Sequence, residues 1–167
     1  MTDPHARVLL IGFGNPARGD DGLGIALAAA VAELGIEGVT VESDYQLNVE
    51  HAADIARHDV VVFADADLSL AEAYSFRKLE PKPEINFSSH SVSPAGVLGL
   101  AQKLFAADTN GYLLGIRGHV FREFVEGLSA EARGNLQLAL GFIETVLRSG
   151  TLPDTANTDE PATAPSR

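Results

Sequence analysis

The 167-residue chain contains no cysteine. That removes disulfides, thiolate nucleophiles and thiolate metal ligands together, and it fits a reducing compartment such as the cytoplasm. Basic residues are scarce as well: 12 Lys and Arg stand against 23 Asp and Glu, for a net charge of −11. A nucleic acid or an anionic membrane surface needs Lys and Arg facing phosphate, so neither is expected as a partner. No apolar run approaches the ~20 residues that span a bilayer. The N-terminus, MTDPHARVLLIG, begins acidic and runs into a strand, so no signal peptide is expected. Three common catalytic signatures are missing: the G-x-S-x-G elbow, the H-E-x-x-H helix and the G-x-x-x-x-G-K-S/T phosphate loop. There is no internal repeat.

What is present is a 46% hydrophobic composition, enough for one soluble domain with a substantial core. An unbroken apolar run predicts a buried strand from Arg7 to Phe13. A glycine-rich loop and a helix from about Asp21 to Leu34 follow. In that helix Leu23, Leu27, Ala30, Val31 and Leu34 share one face, and Gly35 ends it. Val39 to Glu42 reads as a second strand, Asp44 as the cap of a helix running to about Arg57, and Val60 to Asp65 as a third strand. This alternation implies parallel strands covered by helices on both sides.

Beyond it, a strand is expected from Ala73 to Leu79, ended by the prolines of PKPE, then a helix opened by Ser93 and Pro94 to about Phe105. Gly111 to Arg117 is a fifth strand. Ser129 caps a final helix to about Leu147, with Leu136, Leu140, Ile143 and Leu147 on one face. The expected architecture is an α/β three-layer sandwich: a mostly parallel, twisted sheet of about five strands with helices on both faces. It forms a single domain over residues 1–150. Residues 151–167, TLPDTANTDEPATAPSR, have almost no large apolar side chains and are expected to be a disordered tail.

In an open parallel sheet, ligands collect beyond the carboxyl ends of the strands. Asp20 and Asp21 follow the first strand, Asp65 ends the third, and His90 lies in FSSHSVSP after the fourth. Two carboxylates and an imidazole suit a borderline divalent ion such as nickel, zinc or iron. By spacing alone, a capping Asp, a strand-terminal Asp and a polar loop His give the same letters without any site. A dinucleotide turn is the rival, since Gly12-Phe13-Gly14-Asn15-Pro16-Ala17 fits G-x-G-x-x-G/A. Against it, Pro16 and Gly19 delay the helix, Asp20 and Asp21 would repel phosphates, and Glu42 and Asp44 lie too far on to serve as the ribose partner.

The other polar candidates rank lower. His5 reads as solvated, and His51 and His58 as surface residues. His119 could reach the same sheet edge but ranks below His90. Asp67 reads as a solvated residue or loop cap, and Arg117 and Arg122 as surface ion-pair partners rather than clamps for a substrate carboxylate.

The stretch GFGNPARGDDGLG, followed by a strand ending in an Asp (VVVFADA) and a His in a polar segment opening a helix (SSHSVSPAGVLGLAQ), resembles the endopeptidases that mature nickel–iron hydrogenases. The resemblance runs from about Arg7 to Leu147. It implies removal of a C-terminal extension from a hydrogenase large-subunit precursor after nickel insertion. Asp21, Asp65 and His90 would be the metal-contacting trio, with Asp21 and Asp65 also the catalytic candidates. Aspartic and metal-assisted hydrolysis both stay open.

The resemblance further implies that nickel arrives with the precursor, that no intrinsic organic cofactor is needed, and that a cytoplasmic monomer acts on the nickel-loaded partner. Two like charges at Asp21 and Asp65 would raise one apparent pKa, and a cation carried by the partner would relieve the repulsion. A non-hydrolytic metal-binding chaperone or docking module for hydrogenase assembly would use the same trio. Two departures from the family pattern stand out. The first acid is often Glu in the family but Asp21 here, and SDYQLNVE replaces a Gly/Thr-rich segment after the second strand, changing one pocket wall.

Overall fold

In a computed structural model, which describes residues 5–82 and 92–157, the apolar runs form the middle of a six-stranded sheet. The elements in order are β1 (Val8–Phe13), a 3-10 turn (Gly19–Gly22), α1 (Leu23–Leu34), β2 (Val39–Asp44), α2 (His51–Ala56), β3 (Val60–Asp67), β4 (Tyr74–Lys78), α3 (Pro94–Phe105), β5 (Asn110–Arg117), α4 (Ala130–Ser149) and β6 (Thr155–Asn157). The strand order is β2-β1-β3-β5-β4-β6. The first four of these are parallel; β4 runs antiparallel to β5, and β6 antiparallel to β4.

Strand periodicity explains why the central strands read as continuous apolar runs. In β1, Val8 and Leu10 join one core while Leu9 and Ile11 join the other; in β3, Val60, Val62 and Ala64 oppose Val61 and Phe63 in the same way. Leu27 and Val31 of α1 and Leu136, Ile143 and Val146 of α4 cover the first face. Ile55 of α2 and Val97, Leu98 and Leu100 of α3 cover the second. The central strands are therefore buried on both faces, as the three-layer expectation requires.

One close approach sets the site in place. A Cβ on Gly24 would lie 2.4 Å from the Ala64 carbonyl oxygen and 2.5 Å from that of Phe13. The first turn of α1 thus rests directly on the ends of β1 and β3, which only glycine permits.

Several expectations need correction. Asp44 does not cap a helix: β2 continues through it, paired with Phe13, and its carboxylate accepts the N–H of Tyr45. Asn48 makes the turn instead, accepting the Glu50 N–H, and α2 starts only at His51. The sheet has six strands rather than about five, because the expected tail contributes β6, pairing through its backbone with β4. Two apolar residues, Leu152 and Ala156, are buried and anchor that otherwise largely exposed segment; residues 158–167 lie outside the described ones. Among the described residues no helix is long and apolar enough to cross a membrane.

Candidate functional site at the carboxyl edge of the sheet

The glycine-rich loop after β1 does not run straight into a helix. Gly14, at φ +140°, packs so tightly that a Cβ there would fall 2.0 Å from the Asp21 carbonyl oxygen. The chain turns at Asn15, whose side chain accepts the Ala17 N–H, and enters the 3-10 turn before α1 begins at Leu23. This delay is what the dinucleotide reading cannot accommodate, and it brings Asp21 back over the end of β1. There its Oδ2 accepts the N–H of Asn15 at 2.9 Å.

Asp21 and Asp65 line the same open cavity, about 500 Å³ in volume, whose walls include Gly14, Tyr45, Leu47, Val92, Ser93 and Pro94. Asp65 follows Phe63 by two residues on β3 and so faces the α2–α3 side, towards the start of α3. Its carboxyl is pushed up to about 7 from an ordinary 3.8, first by burial and next by the negative charge of Asp21. That repulsion is the like-charge coupling expected of a converging pair. Ser93 caps α3 by accepting the Gly96 N–H, with Pro94 in the first turn, as read from the sequence. His90, in the segment just before them, lies outside the described residues. Among the described residues no group of three His, Asp or Glu side chains is arranged to hold a metal ion.

The neighbouring acid behaves differently. Asp20 is fully buried, and its carboxylate accepts from the N–H groups of His119, Val120 and Ser129 and from the Ser129 hydroxyl. Burial alone would raise its pKa, but these bonds outweigh it and hold the carboxyl below the usual range. Asp20 is therefore not an alternative to Asp21 in the cavity.

The second-strand departure forms a wall of this cavity, through Tyr45, Gln46 and Leu47. His51 supports it. Expected at the surface, His51 is only 7% exposed; its Nδ1 accepts the Asn48 N–H at 3.0 Å, leaving Nε2 to carry the proton 3.7 Å from Asp44 Oδ2. The signal was faint, since a six-residue helix is too short for periodicity to separate its inner and outer faces. The nearby Glu42 carboxyl is raised, first by burial and then by the charge of Asp54.

Other candidates fall outside the cavity. His119 is exposed, and its ring faces Asn135. His58 Nδ1 meets the Asp54 carbonyl at 2.7 Å, and His5 is exposed. Asp67 is a loop cap, accepting from the N–H and hydroxyl of Ser69. Arg117 donates to the Ala71 carbonyl rather than to a carboxylate, and Arg122 is exposed.

No protein-family model and no curated protein sequence matches the chain. Solved structures do. A nickel–iron hydrogenase maturation protease, HycI, from Thermococcus kodakarensis superposes with a TM-score of 0.67 at 23% identity, over 85% of this chain and 92% of that one. The hydrogenase-maturating endopeptidase HybD from Escherichia coli does so at 0.61 and 20% identity, over 91% and 98%. An endopeptidase from Escherichia coli gives 0.68 at 20% identity, over 90% and 97%. Likeness at this level of identity establishes the fold, and the fold shared with these proteins is the one that the GFGNPARGDDGLG resemblance implied.

Proposed function

We propose that this chain, built on the fold found in hydrogenase maturation proteases, is a processing endopeptidase. It removes the C-terminal extension of a nickel–iron hydrogenase large-subunit precursor after nickel insertion. The observation that carries this reading is the meeting of Asp21 and Asp65 in one open cavity, with the Asp65 carboxyl pushed up to about 7. A carboxyl that keeps its proton because it is buried, and next because a second carboxylate lies near it, favours a partner bringing positive charge. A precursor loaded with nickel brings it and an empty precursor does not, so recognition is a difference in affinity between two forms of one substrate.

In this reading Asp21, Asp65 and His90 contact the nickel that belongs to the substrate. Binding drives the proton from the Asp65 carboxyl. Hydrolysis then proceeds either by polarisation of the scissile carbonyl or of water by the substrate's nickel, or with an ionised Asp as general base. Both routes place the peptide bond in the cavity bounded by Tyr45 and Ser93.

The test is the mass of the precursor before and after incubation, with and without nickel, using wild type and the variants Asp21→Asn, Asp65→Asn and His90→Ala. Nickel-dependent loss of the extension with wild type is expected, and a fall of about 100-fold or more for each variant. Normal trimming by all three variants overturns the site assignment. A precursor that binds yet keeps its full mass points instead to a docking module.

A further inference from the structure

We infer that Asp20 is a positioning residue: it ties the turn carrying Asp21 to the loop between β5 and α4, and so holds the Asp21 carboxylate in the cavity opposite Asp65. For its kinetic consequence the inference rests on the endopeptidase reading; its geometry stands independently.

Three hydrogen bonds converge on Asp20 Oδ2, from the His119 N–H at 2.8 Å, the Val120 N–H at 2.8 Å and the Ser129 hydroxyl at 2.7 Å. Oδ1 accepts the Ser129 N–H at 2.7 Å. Two backbone bonds run alongside, from the Asp20 N–H to the Val120 carbonyl at 2.8 Å and from the Gly19 N–H to the Val125 carbonyl at 2.6 Å. One carboxylate thus gathers both ends of the loop, residues 119–120 and 129, onto the 3-10 turn. Because the Ser129 hydroxyl also accepts the Ala132 N–H, the N-cap of α4 belongs to the same chain of bonds.

The consequence for Asp21 follows from helical geometry. Successive side chains in a 3-10 turn point about 120° apart. With Asp20 locked inward, Asp21 is turned outward, where it meets the Asn15 N–H and lines the cavity. Gly118 leaves the space that this side chain uses, since a Cβ there would lie 3.0 Å from the Asp20 Cβ. Only a carboxylate fits the donor set. Asn retains one acceptor oxygen and sets an N–H donor against another donor, and Ala leaves four donors without their acceptor.

The experiment uses the full chain with Asp20→Asn and the milder Ser129→Ala, which removes one donor and keeps the N–H. Amide hydrogen exchange is followed at Asn15, whose N–H reports the Asp21 contact, and at Val61, Val62 and Phe63 of β3, which report global stability. Trimming of nickel-loaded and empty precursor is measured on the same samples. The expected result for Asp20→Asn is Asn15 exchange about 10-fold faster relative to β3, kcat/KM for loaded precursor lower by about 10- to 100-fold, and a reduced preference for loaded over empty precursor. Ser129→Ala should move both readouts in the same direction by less.

The inference is overturned if Asn15 exchange keeps its wild-type ratio to β3, which would make Asp20 a purely structural residue. If wild type itself leaves the precursor uncut, the endopeptidase reading fails, and the exchange ratio alone decides the role of Asp20.

Discussion

At the scale of single residues, the Asp65 carboxyl makes the candidate site a source of instability that depends on pH. Burial and the charge of Asp21 move its titration from an ordinary 3.8 to about 7. Between those values the folded protein keeps a proton that the unfolded chain has released, so stability falls as pH rises through the window. Below it both states are protonated; above it both are ionised and the folded state bears the full cost. Asp65→Asn removes this term. Urea unfolding should then show a flatter pH dependence between about 4 and 7 and a variant more stable than wild type at pH 8. An unchanged slope would mean that Asp65 titrates normally.

The two acids of this pair were legible in the sequence because each lies near the carboxyl end of an apolar strand run, Asp21 in the turn after β1 and Asp65 near the end of β3, two residues short of it. Asp20 was legible only as a neighbour. An acidic residue beside a site reads as solvated unless the donors that bury it are known, and those come from about 100 residues further along.

Elements show which glycines carry the architecture. Gly24 in the first turn of α1 faces two backbone carbonyls at distances no methyl group can occupy, whereas a Cβ on Gly134 of α4 would meet nothing within 4 Å. Gly24→Ala is therefore expected to destabilise by about 3 kcal/mol, through overpacking against rigid backbone. Gly134→Ala should stabilise by up to about 1 kcal/mol, through helix propensity alone. Denaturant midpoints of the two variants measure the contrast, and equal effects would contradict the packing account.

The helices opened by a capping serine, α3 and α4, were placed correctly from the sequence, since Ser93 with Pro94 and Ser129 both act locally. The start of α2 was not. Asp44 can cap a helix or end a strand, and pairing with Phe13 across the sheet decides between them.

Across the whole molecule, local patterning stated the layers but not the neighbours. Alternating strands and helices implied a doubly covered sheet, yet nothing in the periodicity says that β5 lies between β3 and β4, or that β6 closes the outer edge. That edge is where Phe76 stacks on Tyr112 at 5.2 Å and packs against Phe142, and Leu152 and Ala156 cover the same core. Truncation after Gly150 should therefore cost about 3 kcal/mol, mostly the burial of one leucine and the loss of strand pairing. Urea unfolding of the truncated chain checks this, and a stability equal to that of the full chain would return residues 151–157 to the role of a passive tail.

The late position of β6 also has a consequence for the order of synthesis. β1, β2 and β3 with α1 and α2 come from the first 67 residues and are adjacent in space, so they can assemble while the chain is still emerging. The aromatic layer at the other edge cannot. Its last cover is made some eighty residues after β4, and until then the ribosome-bound protein presents an unpaired outer edge of β4 and a partly open core. The maturing chain would need shielding there, at the end opposite to β2.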